Sequence, residues 1–234
     1  MYVFKDDALF RGCSESLKHL DMRIDIPAIN MLTEYGVVEK LRNLRSINIK
    51  FGYSSHGYGD KSTRPLQFAF ELVSQSTRSL VLRDFLDDYS IAETIAQYPN
   101  MQSLVHLNLS SVKLKLTEVI EVIKILPNLE YFRYTCNGLG SVPGRLQSKN
   151  IPRHVLKKYY PLSLRLKYCD INTFANKPTK SLAITAMLLA LLCPRFTFAK
   201  VPDEVLAAYN STIENSICDE PYLEFSDRLQ CLLR

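Results

Sequence analysis

What this chain lacks narrows its function before any fold is considered. Its six cysteines, Cys13, Cys136, Cys169, Cys193, Cys218 and Cys231, include no CxxC pair, and no histidines follow at finger-like spacing. A thiolate zinc site needs ligands paired at short spacing, and a disulfide framework belongs to much smaller secreted chains, so neither is expected. Long apolar runs are missing too. The longest, Leu182 to Cys193, falls short of the roughly 20 residues a bilayer-spanning helix requires. The opening Met1-Tyr2-Val3-Phe4-Lys5-Asp6-Asp7 has two acids where a signal peptide would carry basic and then apolar residues. The sequon matches at Asn108 and Asn210 therefore read as chance. A reduced chain of the cytoplasm or nucleus, with no membrane association, is the expectation.

Catalytic signatures are equally sparse. His19, His56, His106 and His154 are scattered, and none has a serine, cysteine or acid beside it in a nucleophile motif. The glycines of the stretch from Gly52 to Asp60 lack the strand before and helix after that a phosphate-binding loop requires, so this stretch reads as a surface insertion. No enzyme activity, cofactor or metal is expected. The charge excess is small: 29 Lys and Arg against 24 Asp and Glu give +5. That permits an acidic partner but is milder than the dense basic clustering of a dedicated nucleic-acid domain.

What is present is a core and a rhythm. With 234 residues and 47% hydrophobic composition, the chain can bury a sizeable interior. Pairs of apolar residues two positions apart recur at Leu20/Met22, Ile47/Ile49, Leu80/Leu82, Leu107/Leu109, Phe132/Tyr134, Leu164/Leu166 and Phe196/Phe198. Each pair lies in a short alternating stretch, the mark of a strand with one buried face. Steps of 25 to 33 residues separate the copies, room for one strand, one helix and two connections. Helices are expected over Ala28 to Leu41, Leu66 to Gln75, Ser90 to Gln97, Thr117 to Leu126 and Ser181 to Leu192. Several end in a shared phrase, as in Leu126-Pro127-Asn128-Leu129 and Tyr98-Pro99-Asn100-Met101, where proline stops the helix and opens the next strand.

The fullest copy, Leu129-Glu130-Tyr131-Phe132-Arg133-Tyr134-Thr135-Cys136-Asn137-Gly138-Leu139, resembles the leucine-rich-repeat pattern LxxLxLxxNxL. The frames starting at Leu104 and Pro161 are similar to it, the latter through Leu164, Leu166, Cys169 and Ile171. Irregular repeats of this kind resemble the intracellular type found in F-box proteins. The resemblance implies an α/β solenoid of about seven repeats over residues 1–201, with a curved parallel sheet inside and helices outside. Residues 202–234 would form a helical C-terminal cap. A parallel doubly wound sheet is the rival fold, but it calls for longer continuous apolar strands.

Within this frame the residues between inward pairs form rows on the concave face. One row reads His19, Ser46, Ser79, His106, Tyr131, Ser163 and Arg195; the next Asp21, Asn48, Val81, Asn108, Arg133, Arg165 and Thr197; the third Arg23, Lys50, Arg83, Ser110, Thr135, Lys167 and Ala199. Two basic clusters result, Arg23, Lys50 and Arg83, then Arg133, Arg165, Lys167 and Arg195, with Asp21 the single acid. With His106 and Tyr131 they are the expected partner-binding residues. A face of this sign suits an acidic or phosphorylated protein. Nucleic acid is disfavoured because Tyr131 is the only aromatic among them, whereas stacking platforms use several. The resemblance points to a non-enzymatic adaptor, related to ubiquitin-ligase substrate receptors, although no F-box segment stands ahead of the first repeat. A regulator of a small GTPase similar to the Ran activator, or a structural adaptor, are the alternatives.

Overall fold

Asp25 starts the first helix by supplying a partner that the helix backbone lacks. Its Oδ1 accepts from the Ala28 amide at 3.0 Å, and Pro27 occupies the first turn, where no amide donor is needed. The helix, α1 (Ile26–Glu34), ends where Gly36 turns left-handed at φ +60°, and the chain re-enters a short α2 (Val37–Lys40). The single helix expected from Ala28 to Leu41 is thus two. Glycine is the residue that adopts this φ at least cost, and it breaks the ladder of amide bonds. The structure is a computed structural model and describes residues 16–52, 64–85, 91–136, 161–172, 189, 192–195 and 198–200.

The remaining helices fall near their expected places: α3 (Arg64–Glu71), α4 (Ile91–Ala96) and α5 (Leu116–Ile125). The cap of the last is Lys115, two residues before the expected start at Thr117. The Lys115 amide donates to Glu118 Oε2 at 3.0 Å, so a carboxylate in the first turn serves the exposed amide instead. Leu189 and Leu192 are helical within the expected helix from Ser181. The rest of that helix, the insertion from Tyr53, the turn-rich Gly138 to Gly144 and the expected cap from Pro202 lie outside the described residues.

Contacts divide the chain into two compact units, Met1–Val112 and Lys113–Arg234. In the first, β1 (His19–Ile24), β2 (Ser46–Phe51), β3 (Ser79–Arg83) and β4 (His106–Leu114), whose last two residues pass the boundary, pair in chain order, all parallel. In the second, β5 (Tyr131–Cys136), β6 (Tyr168–Asn172) and β7 (Phe198–Lys200) do the same. The fold is α/β, with parallel strands and helices in the connections.

Four of the repeats, those of β2, β3, β4 and β6, start with the same backbone device. The carbonyl of Lys18 accepts from the amides of Arg45 and Ser46, that of Arg45 from Arg78 and Ser79, and that of Arg78 from Val105 and His106. In the second unit the Glu130 carbonyl accepts from Lys167 and Tyr168. One carbonyl with two lone pairs thus fixes the register of the following strand. Three apolar positions per repeat then enter the core: Leu44/Ile47/Ile49, Leu104/Leu107/Leu109 and Leu129/Phe132/Tyr134 are all 0% exposed. Burying each such side chain contributes roughly 1.5–3 kcal/mol. In the β3 repeat Thr77 stands at the leucine position. Its hydroxyl donates 2.9 Å to the Leu44 carbonyl, which satisfies a buried polar group at an apolar site.

Two expected repeats are corrected. The inward pair of β6 is Cys169/Ile171, set by the partners Phe132↔Cys169 and Tyr134↔Ile171, not Leu164/Leu166. Ser163 is the cause. Its Oγ accepts from the amides of Arg165 and Leu166 at 3.2 and 3.0 Å, folding 163–166 into a turn and leaving Leu164 60% exposed. Leu166 then opens the true frame, Leu166/Cys169/Ile171. In β7 the register pairs Phe198 with Tyr168 and Ala199 with Cys169, so Ala199 rather than Phe196 stands opposite the first inward position of β6, three residues farther on.

Candidate functional site: the open sheet face

A strand that buries alternate side chains must present the others to the opposite side. In the first unit these form three rows in register: His19↔Ser46↔Ser79↔His106, Asp21↔Asn48↔Val81↔Asn108, and Arg23↔Lys50↔Arg83. All are exposed or half-buried. As far as the pairing of β3 with β4 runs, to Asn108, the rows match the sequence reading for these strands. In the first, Ser79 Oγ and His106 Nδ1 are 2.8 Å apart, a contact the scattered histidines do not announce. Burial lowers the His106 pKa below its ordinary value and favours the neutral ring. In the second row the Asn48 amide donates to Asp21 Oδ2 at 2.8 Å.

The third row is the most highly charged. Arg23, Lys50 and Arg83 occupy equivalent positions on three adjacent strands, spaced by roughly 4.8 Å per strand. Lys50 Nζ is 3.2 Å from Asp84 Oδ2. Asp84 itself holds φ +59°, unusual for a residue with a side chain, and its amide donates to Ser111 Oγ at 2.7 Å. Neither Arg23 nor Arg83 is in an ion pair among the described residues. Arg23 lies against the backbone at Gly52: a Cβ placed there would stand 2.9 Å from Arg23 Nε.

The second unit departs from the sequence reading. Its rows are Tyr131↔Tyr168↔Phe198 and Arg133↔Asp170↔Lys200, with Thr135↔Asn172 beyond. Arg165, Lys167 and Arg195 are therefore not row residues. Arg165 and Lys167 precede β6 because Ser163 shifts the repeat, Arg195 precedes β7, and Asp170 takes the place expected for Arg165. The second acid matters, since Arg133 Nε is 3.2 Å from Asp170 Oδ2 and the carboxylate is almost buried. Tyr131 and Tyr168 stack with centroids 4.8 Å apart and planes at 9°. Burial foremost, then the Asp170 charge, raises both phenol pKa values.

Arg165, Lys167 and Arg195 still gather, but around Glu130 at the amino end of the strands. Lys167 Nζ is 2.7 Å from Glu130 Oε2. That hydrogen bond, with the charges of Lys167, Arg165 and Arg195, holds the Glu130 carboxyl below its usual range against a weaker desolvation effect. The two basic clusters are thus chemically unlike: the later one is interleaved with Asp170 and Glu130, and the earlier keeps two guanidiniums with no ion pair among the described residues. Tyr168, Asp84 and Asp170 were not singled out from sequence, and Gly52 was read only as the start of a surface insertion. The Leu166/Cys169/Ile171 frame would have found Tyr168 and Asp170, whereas Asp84 and Gly52 gain meaning only from the neighbouring strand.

Among the described residues no group of three His, Cys, Asp or Glu side chains stands where it could hold a metal ion. No described helix is long and apolar enough to cross a membrane. No protein-family model matches the chain, and no curated protein matches it.

Proposed function

We propose that this chain is a leucine-rich-repeat-type solenoid acting as a non-enzymatic binding module for an acidic or phosphorylated protein. The observation that carries the function is the in-register row Arg23, Lys50 and Arg83 on the unpacked side of the first unit's sheet. Three cations on adjacent strands repel one another, so a bound anion stabilises the arrangement. The solenoid reading rests on strands paired strictly in chain order within each unit, whereas a doubly wound sheet changes direction at a switch point. It also rests on the polar and charged side chains, exposed or half-buried, along the second face of the first unit's sheet, where a doubly wound fold places a helix layer. By the same resemblance to F-box repeat domains, the bound protein would be a client presented to a larger assembly.

Affinity capture from cell extract tests the reading, using the wild type, an Arg23→Glu/Lys50→Glu/Arg83→Glu variant and a Lys124→Glu control on α5. Proteins held by wild type and control, lost from the triple variant and enriched in acidic or phosphorylated segments are the expected result. Identical protein sets in all three would remove the open face from the function.

A further inference from the structure

We infer that the first unit holds a phosphoserine- or phosphothreonine-type side chain between Arg23 and Arg83, with Lys50 held in reserve by Asp84. The inference rests on the proposed binding of an acidic or phosphorylated partner and names the anion and its seat. The three cations and the Asp84 carboxylate leave a local excess of two positive charges. A phosphomonoester carries about −1.5 to −2 at neutral pH, close to that excess, whereas a carboxylate carries only −1. The two arginines stand two strand spacings apart, about 10 Å between backbones, so their long side chains can converge on one tetrahedral anion placed above Lys50. Guanidinium forks donate two parallel bonds to phosphate oxygens, a geometry an ammonium does not offer.

The seat is built rather than incidental. Gly52 is buried, and its missing side chain leaves the space in which the Arg23 guanidinium rests, 2.9 Å from where a Cβ would be. Asp84 is turned into left-handed backbone geometry, its amide tied to Ser111, and in that position its carboxylate engages Lys50 on the neighbouring strand. The middle cation is paired, and among the described residues the outer two meet no carboxylate. The one other acid in these rows, Asp21, accepts the Asn48 amide one step along the strands.

Fluorescence anisotropy on the full chain tests this, using degenerate peptide pools centred on phosphoserine, serine or glutamate. The phosphoserine pool is expected to bind at least about tenfold tighter than the other two, a factor that one charge-assisted bond supplies. Arg23→Gln and Arg83→Gln should each lose about tenfold, and Arg165→Gln should change little. Asp84→Asn, which tolerates the same backbone angle, should tighten binding by releasing Lys50. Gly52→Ala should weaken it by displacing Arg23 without removing a charge, with the circular-dichroism spectrum unchanged. Glutamate binding as well as phosphoserine overturns the phosphate seat but leaves an acidic partner. Loss through Arg165→Gln in place of Arg23→Gln overturns the location alone. Equal binding of all three pools overturns both the seat and the function on which it rests.

Discussion

Arg133 shows how one neighbour changes what a residue does. Read from sequence it is an exposed cation free to meet a partner, and with Arg165 it should accept charge reversal without loss of stability. In the fold it faces Asp170, whose side chain is 9% exposed, while Arg165 sits on a solvated turn. Arg133→Glu would set two carboxylates together with one of them buried, and should destabilise the protein by about 1–3 kcal/mol in urea unfolding. Arg165→Glu should stay within about 0.5 kcal/mol, as surface substitutions do. A second prediction concerns His106. Its pKa is lowered from 6.5 in the folded state, so the unfolded chain binds more protons as pH falls. Stability is therefore full above that value and declines as pH drops through the folded pKa. Urea midpoints between neutral and mildly acid pH should show the decline, and His106→Gln should flatten it.

At the scale of elements, the strands carry their own instructions and the connections do not. Leu44/Ile47/Ile49 and Leu129/Phe132/Tyr134 are legible because alternation can bury only one face of a strand. The sixth repeat was misread because Leu164-Arg165-Leu166 satisfies the same alternation. A serine hydroxyl bonding two nearby amides outweighed it, a local competition that apolar spacing does not register. Helix ends follow the same division. Asp25 and Pro27 mark a start plainly, whereas the break at Gly36 depends on a left-handed backbone angle. Gly36→Ala should cost about 1–2 kcal/mol from that angle, measured by thermal unfolding, with the new Cβ also 3.2 Å from Glu39 Oε2.

At the scale of the whole molecule, the second unit buries two thiols among its described residues, Cys169 and Cys193. Cys169 and Cys193 are 0% and 1% exposed. Burial raises the Cys169 pKa well above its usual value and pushes Cys193 up to about 12, so neither forms the reactive thiolate near neutrality. Peptide-mapped labelling with a maleimide should leave both unmodified in the native protein and modify both once the second unit unfolds. Labelling of either under native conditions would contradict this packing.

The sequence by itself determined the alternation of parallel strands and helices, the inward residues of the first five strands, and the rows on the first unit's open face. These follow from periodicity, which is local and repeated. Tertiary structure alone decided which cations remain available. Lys50, Arg133 and Lys167 meet carboxylates from neighbouring strands or the residues that flank them, while among the described residues Arg23 and Arg83 do not. Pairing across strands depends on register, and a turn of four residues at Ser163 was enough to reset it. Charge can be counted along a chain, but whether a charge is spent within the fold is settled only by what the fold places beside it.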